Sequence, residues 1–319
     1  MTKPGRILLT GADGFVGRHL MPALRRAFPD ATLVGCARET ELPGADIVLP
    51  LDLSDPASVQ DCLSAAGPDA VIHLAAESAV AASFGDPMRT WRINVDGSLL
   101  LASGVLATAP AAPFVFASSA EIYGLSFQRG TPLDEDAPLA PANPYAASKA
   151  AADIALGEMA LRGLRLLRLR PANHTGAGQS DAFVVAAFAR QLARIEARLQ
   201  EPVIRVGALD RWRDFLDVRD VCAAYVAAVE KADALPAGAA INIASGHPRR
   251  IGDILDGLIA RTGLAIGIEA EQARMRPTDV RTAVLNPDRA RALLDWRPTI
   301  PWDATLDEVL ADWRRRVRT

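Results

Sequence analysis

The 319-residue sequence predicts an α/β fold: a doubly wound parallel sheet followed by a smaller mixed α/β C-terminal lobe. Three observations carry that prediction. From residue 6 to about 170, short aliphatic or β-branched runs alternate with longer helical patterns, the order that lays helices on both faces of a parallel sheet. The first run leads directly into a glycine-rich turn, TGADGFVG, at residues 10–17. After Pro171 the alternation gives way to a loop rich in Gly, Asn and Ser, a helix near 183–200, and then mixed short elements.

Strands are expected at 6–10, 32–37, 47–49, 70–74, 114–118 and 164–169, each a short apolar run bounded by polar or turn residues. The first helix is marked by a stripe of Phe15, Val16, Leu20, Leu24 and Phe28. Pro22 within it is expected to kink or shorten that helix. Segments near 217–244 carry a helix start at Asp217 or Asp220 and an aliphatic run at 240–243, so they are expected to return to the main sheet.

Composition narrows the function. The chain has 35 Lys plus Arg against 38 Asp plus Glu, a net charge of −3, which argues against a nucleic-acid partner. No apolar run reaches the roughly 18 to 20 residues of a membrane helix, and no secretory signal pattern opens the chain, so a cytoplasmic protein is expected. Cys36, Cys62 and Cys222 lack metal-ligand spacing and the four histidines form no motif with them, so neither disulfides nor a metal site is expected. Only Lys3, Lys149 and Lys231 among the basic residues are lysine.

The glycine turn suits a dinucleotide. Gly11 permits the tight turn, Gly14 admits a diphosphate close to the backbone, and Gly17 allows the helix to pack on the strand with its N-terminus facing the phosphates. This makes the sheet Rossmann-type, with residues 1–170 the expected dinucleotide-binding domain and 171–319 mainly a substrate lobe. Cofactor choice depends on the end of the second strand, where Cys36, Ala37 and Arg38 stand. Arg38 could pair with a 2′-phosphate, which favours NADP, with NADPH preferred and NAD possible; Glu39 could instead bind a ribose, or Arg38 could be merely solvated. Asp52 and Leu53 suit the adenine edge. Phe15, Val16, Leu74, Ala75, Ala76 and Asn94 complete the expected cofactor contacts.

Tyr145 and Lys149 in YAASK follow Pro144 at an expected helix start, so their i, i+4 spacing places both on one face. A nearby ammonium stabilises tyrosinate and is expected to pull the phenol below its usual value of about 10, fitting it for proton exchange with a carbonyl or alcohol. Lys149 could also hold a nicotinamide ribose. A surface Tyr and Lys pair is the plain alternative, made less attractive by the upstream glycine turn and by the hydroxyls Ser118 and Ser119 ending the fifth strand.

The glycine turn, ASSAEIYG (residues 117–124) and YAASK together resemble the extended short-chain dehydrogenase/reductase superfamily over nearly the whole chain. The resemblance implies that Ser119 orients a carbonyl, Tyr145 is the acid/base and Lys149 its electrostatic partner. The runs at 170–185 and 206–221 are similar to GDP-6-deoxy-D-mannose reductases and, more distantly, to GDP-mannose 4,6-dehydratases. That similarity implies GDP-4-dehydro-6-deoxy-D-mannose as substrate, NADPH reduction of its C4 ketone, and GDP-D-rhamnose as product. It also implies Asn173 as a hexose contact, and Arg213 and Arg276 as diphosphate and ribose contacts chosen from a set that includes Arg211 and Arg281. His174 is either a sugar contact or a supporting group. Glu121 either positions substrate or caps a local turn. Ala120 after Ser119 replaces the acid or hydroxyl that resembling dehydratases carry there, which disfavours elimination of water. Ala172, Ala177 and Glu77 depart from the family pattern around the hexose site. The alternatives are a nucleotide-sugar 4-epimerase with retained NAD and a non-catalytic dinucleotide-sensing regulator. A homodimer built from the Ala-rich helices near 94–107 and 145–162 is expected, with internal packing of their apolar faces as the alternative.

Overall fold

A computed structural model describes residues 3–38, 41–271 and 280–318. Its first part comprises β1 (Arg6–Thr10), α1 (Phe15–Ala27), β2 (Thr32–Cys36), β3 (Ile47–Leu49), α2 (Pro56–Ala66), β4 (Ala70–His73), α3 (Val80–Gly85) and α4 (Pro87–Trp91). A π-helical turn (Arg92–Gly97) then runs into α5 (Ser98–Thr108). β5 (Phe114–Ala117), a 3-10 segment (Ala120–Arg129), α6 (Pro144–Leu161) and β6 (Leu166–Pro171) follow. The remainder holds β7 (Asn173–Thr175), α7 (Val184–Glu196), β8 (Val203–Val206), β9 (Trp212–Asp217), α8 (Val218–Glu230), β10 (Ala239–Ile243) and β11 (Pro248–Arg250). After these come α9 (Ile251–Ala260), β12 (Gly267–Ala270), β13 (Thr282–Ala283), α10 (Asp288–Leu294) and α11 (Trp302–Arg316).

Seven strands form one sheet in the order β10-β6-β5-β4-β1-β2-β3, with every neighbouring pair parallel. The chain winds outward from β1 to β3 and then restarts at β4 on the other side of β1. That reversal opens a crevice beyond the C-terminal ends of β1 and β4, where ligands bind in such sheets. Alternate residues of β1 feed opposite faces: Ile7 and Leu9 join one core with Leu20, Leu24, Val221 and Tyr225, while Leu8 joins the other with Leu63, Leu101 and Leu156. A third core, including Phe188, Leu192, Leu255 and Trp313, gathers α7, α9 and α11.

Local signals explain the helix limits. Asp55 accepts a hydrogen bond from the Ala57 amide to open α2, Asn143 does the same for Ala146 at the start of α6, and Asp217 for Arg219 at the start of α8. The expected shortening at Pro22 does not occur: α1 continues to Ala27 because burial of Leu20, Met21 and Leu24 outweighs one missing backbone hydrogen bond. The strand expected at 164–169 lies two residues further on. Among the described residues, no helix is long and apolar enough to cross a membrane, and no cluster of His, Cys, Asp and Glu could hold a metal ion.

Candidate active site

The turn after β1 is closed by backbone contacts that exclude side chains. Gly11 has φ +68°, and a Cβ there would lie 2.8 Å from the Ala75 nitrogen. A Cβ on Gly17 would lie 2.4 Å from the Gly11 carbonyl oxygen. α1 therefore starts hard against the strand, and Gly14 at its N-cap offers no side chain to the first-turn amides. This is a cradle of the kind a diphosphate fills, so the residues present fit a dinucleotide.

Beside the turn, Thr10 Oγ1 accepts from the Ala75 amide at 3.2 Å and lies 2.7 Å from His73 Nδ1, while His73 Nε2 lies 3.0 Å from Ser98 Oγ. Burial pushes His73 down to about 3, so the ring stays neutral within this chain of hydrogen bonds. The Leu74 amide donates to the Thr10 carbonyl at 3.2 Å, and Ala76 is half-buried alongside. Asn94, on the π-helical turn, is fully buried. Its Oδ1 accepts from the Glu77 amide at 2.8 Å, and its Nδ2 donates to the Glu77 carbonyl at 3.1 Å and to Ser148 Oγ at 2.9 Å. Asn94 thus ties the loop after β4 to α6 through its own side chain.

At the outer end of the crevice, Arg38 is exposed and lies against Asp13; Glu39 lies outside the described residues. Asp52 accepts from the Ser54 amide and hydroxyl, which hold its carboxyl below the usual range. Leu53 is buried against Gly97, where a Cβ would come within 2.7 Å of the Leu53 Cβ. Phe15 stacks on His174 with ring centroids 6.2 Å apart, and His174 Nδ1 lies 3.0 Å from the Ala172 carbonyl oxygen. His174 is thereby occupied as a packing and hydrogen-bonded group.

Helix α6 delivers the central pair. Tyr145 and Lys149 are both buried, the Tyr145 hydroxyl is hydrogen-bonded to Ser119, and Lys149 Nζ donates to the Ala117 carbonyl at 2.7 Å while sitting 4.7 Å above the Phe116 ring. Ser119 Oγ also accepts from the Glu121 amide at 3.1 Å, which caps the 3-10 segment. The depressed phenol expected from the spacing is corrected here. Burial pushes Tyr145 up to about 12, and the Ser119 hydrogen bond offsets only part of it. Burial likewise pushes Lys149 down to about 7, against the attraction of Asp153.

Asp153 is a residue that the sequence reading missed. It accepts from Ser118 Oγ at 2.7 Å, Arg168 at 2.9 Å and Arg170 at 2.8 and 3.1 Å. Ser118 is thus turned into the core as a brace, while its neighbour Ser119 faces Tyr145. The signal that could have found it was an aspartate four residues beyond the buried lysine, with arginines at alternate positions of the next strand.

A cleft bounded by the start of the 3-10 segment and by the N-cap of α6 is lined by Glu121, Asn143, Asn173, Arg213 and Val280 among others. Glu121 accepts from Asn143 Nδ2 at 3.2 Å, and its own amide is the group capped by Ser119, so its carboxylate faces the cleft and is not itself a turn cap. Asn143 was not anticipated as a site residue. Arg213 donates to the Trp212 and Val280 carbonyls at 2.8 and 2.9 Å, which fixes its guanidinium at the cleft wall. Arg276 lies outside the described residues.

A parallel sheet with a glycine turn at its switch point and a buried Ser, Tyr and Lys constellation beside it defines a dinucleotide-dependent oxidoreductase. Residues 7–244 match the NAD dependent epimerase/dehydratase family, and the chain belongs to that family, the extended short-chain dehydrogenases/reductases. It is 37% identical over 98% of both chains to the GDP-6-deoxy-D-mannose reductase of Pseudomonas aeruginosa. It is 29% identical, over 97% of both chains, to a UDP-glucose 4-epimerase of Rhizobium meliloti. The solved structure of RMD from Pseudomonas aeruginosa complexed with NADPH superposes with a TM-score of 0.83 at 34% identity, covering 98% of this chain and 99% of that one. A Thermus thermophilus UDP-glucose 4-epimerase in complex with NAD gives 0.84 at 26% identity, covering 97% and 99%.

Proposed function

We propose that the protein reduces the C4 ketone of GDP-4-dehydro-6-deoxy-D-mannose with NADPH to give GDP-D-rhamnose. The observation that carries this reading is 37% identity to a GDP-6-deoxy-D-mannose reductase over 98% of both chains, with Ser119 hydrogen-bonded to Tyr145 and Lys149 one helical turn beyond it on α6. Bound reduced nicotinamide supplies the hydride for C4. Tyr145 donates its proton to O4, and its burial, which keeps the phenol protonated, suits that direction of transfer. Ser119 shares the hydrogen bond to the same oxygen. Lys149 orients the nicotinamide ribose and, when charged, lowers the cost of forming tyrosinate. Arg213 meets the diphosphate, while Glu121 and Asn173 meet the hexose. Gly11, Gly14, Phe15, Val16 and Gly17 hold the dinucleotide diphosphate.

Ala120 supports reduction over dehydration, since elimination of water needs a second proton donor at that point. A 4-epimerase with retained NAD is the second reading, favoured by the likeness to UDP-glucose 4-epimerases. The reductase reading includes a homodimer that pairs the α5 and α6 helices, with Ile154 and Leu161 of α6 as exposed apolar side chains.

The test is NADPH absorbance on adding GDP-4-dehydro-6-deoxy-D-mannose made in situ, with NADH and Tyr145→Phe in parallel. Substrate-dependent oxidation that the variant loses supports the reductase, and product NMR then separates rhamnose from its C4 epimer. Absence of oxidation with either cofactor, together with NAD released on denaturation, supports the epimerase.

A further inference from the structure

β2 ends at Cys36, and Ala37 and Arg38 follow it, with no carboxylate among the three. The glycine turn supplies one. Asp13 Oδ2 lies 3.1 Å from Arg38 Nε and 3.3 Å from the Arg38 backbone nitrogen. The two partners are unequal: the Asp13 side chain is 11% exposed and the Arg38 side chain 93%. Asp13 is also held through its backbone, whose carbonyl accepts from Arg18 Nε at 2.9 Å. Arg38 can therefore swing out while the carboxylate stays.

Resting on the dinucleotide reading above, we propose that Asp13 is a specificity-determining residue that keeps NADH usable beside NADPH. Its carboxylate neutralises Arg38 and opposes a 2′-phosphate by like charge, and it offers an acceptor to a 2′-hydroxyl. A phosphate carrying about −1.5 to −2 charge draws the exposed Arg38 guanidinium away from Asp13. The same phosphate still meets the fixed negative charge of Asp13, a penalty that a free ribose does not feel.

The experiment is calorimetric titration of the full chain with 2′,5′-ADP and with ADP, which reads the adenosine end without turnover. Asp13→Asn should raise the preference for 2′,5′-ADP over ADP by about five- to tenfold at low salt, the effect shrinking as salt is added. Arg38→Ala should lower the same preference. Glu39→Gln should leave it unchanged. Binding of both probes by the wild type with an unaltered ratio in Asp13→Asn overturns the proposal, as does a shift produced by Glu39→Gln in its place. If the wild type binds neither probe, the dinucleotide reading itself fails and the proposal falls with it.

Discussion

Asp153 lies one helical turn beyond Lys149 on α6, and its carboxylate is shared by Ser118, Arg168 and Arg170 while it also raises the affinity of Lys149 for a proton. One side chain thus braces β5 and β6 against α6 and adjusts the charge of the residue beside Tyr145.

Asp153→Asn should therefore destabilise the fold by about 3–5 kcal/mol, because Arg170, buried and bonded on one side to Tyr123, is left without its carboxylate. Urea denaturation checks this. The native network holds Asp153 below the usual carboxylate range, so its contribution is present at neutral pH and is lost as pH falls through that lowered value. The variant should show a weaker acid dependence.

Tyr145→Phe should lower turnover by about 10²–10⁴ with dinucleotide binding little changed, since the lost group moves a proton and the ring remains. Lys149 titrates near 7, so the reduction rate should fall as pH rises through that value and the ammonium loses its charge. Tyr145, at about 12, stays protonated throughout. Lys149→Met should remove that limb of the pH profile.

His73 is buried, neutral and pushed down to about 3 from an ordinary 6.5. Between those values the unfolded chain holds a proton that the native state refuses, so stability should decline as pH falls from 6.5 towards 3. A His73→Gln variant should show a flatter acid limb in thermal unfolding.

Gly17→Ala should cost about 1–3 kcal/mol, since the added methyl meets backbone atoms, the Gly11 and Ala12 oxygens at 2.4 and 2.6 Å and the Ala12 carbonyl carbon at 2.7 Å, and none can move aside alone. Calorimetric titration with NADPH should show weakened binding, because relief of the clash displaces the first turn of α1.

Legibility followed sequence distance. β1 and β3 were read to the residue, because each carries a short uninterrupted apolar run, and Tyr145 with Lys149 could be read because their spacing lies within one helix. The Asp153 cluster could not. It also reaches Glu135, whose carbonyl accepts from Arg170 and whose carboxylate accepts from the Asn242 amide, across 107 residues in that last bond. No periodicity records such a pairing. Asn143 was hidden for another reason: it caps α6 with Oδ1 while its Nδ2 holds Glu121 in the cleft, and a cap is a complete local explanation for an asparagine before a proline. The direction of the Tyr145 shift was missed because spacing reveals the nearby ammonium and says nothing of how deeply both groups are buried.

β10 is an edge strand of the main sheet, yet the chain reaches it only after forming β7, β8 and β9, and leaves again for β11 to β13 before α10 returns to pack on β10. Trp296, just beyond α10, then donates to the Asp220 carbonyl on α8 at 2.9 Å. A polypeptide that weaves between its layers in this way has no single linker to sever. A gene fragment ending near residue 171 would strip β6 of its outer neighbour and α1 of the helix covering it, leaving an open sheet edge prone to association. The same weaving stiffens the molecule, since several strand ends would have to bend together for one layer to swing from the other.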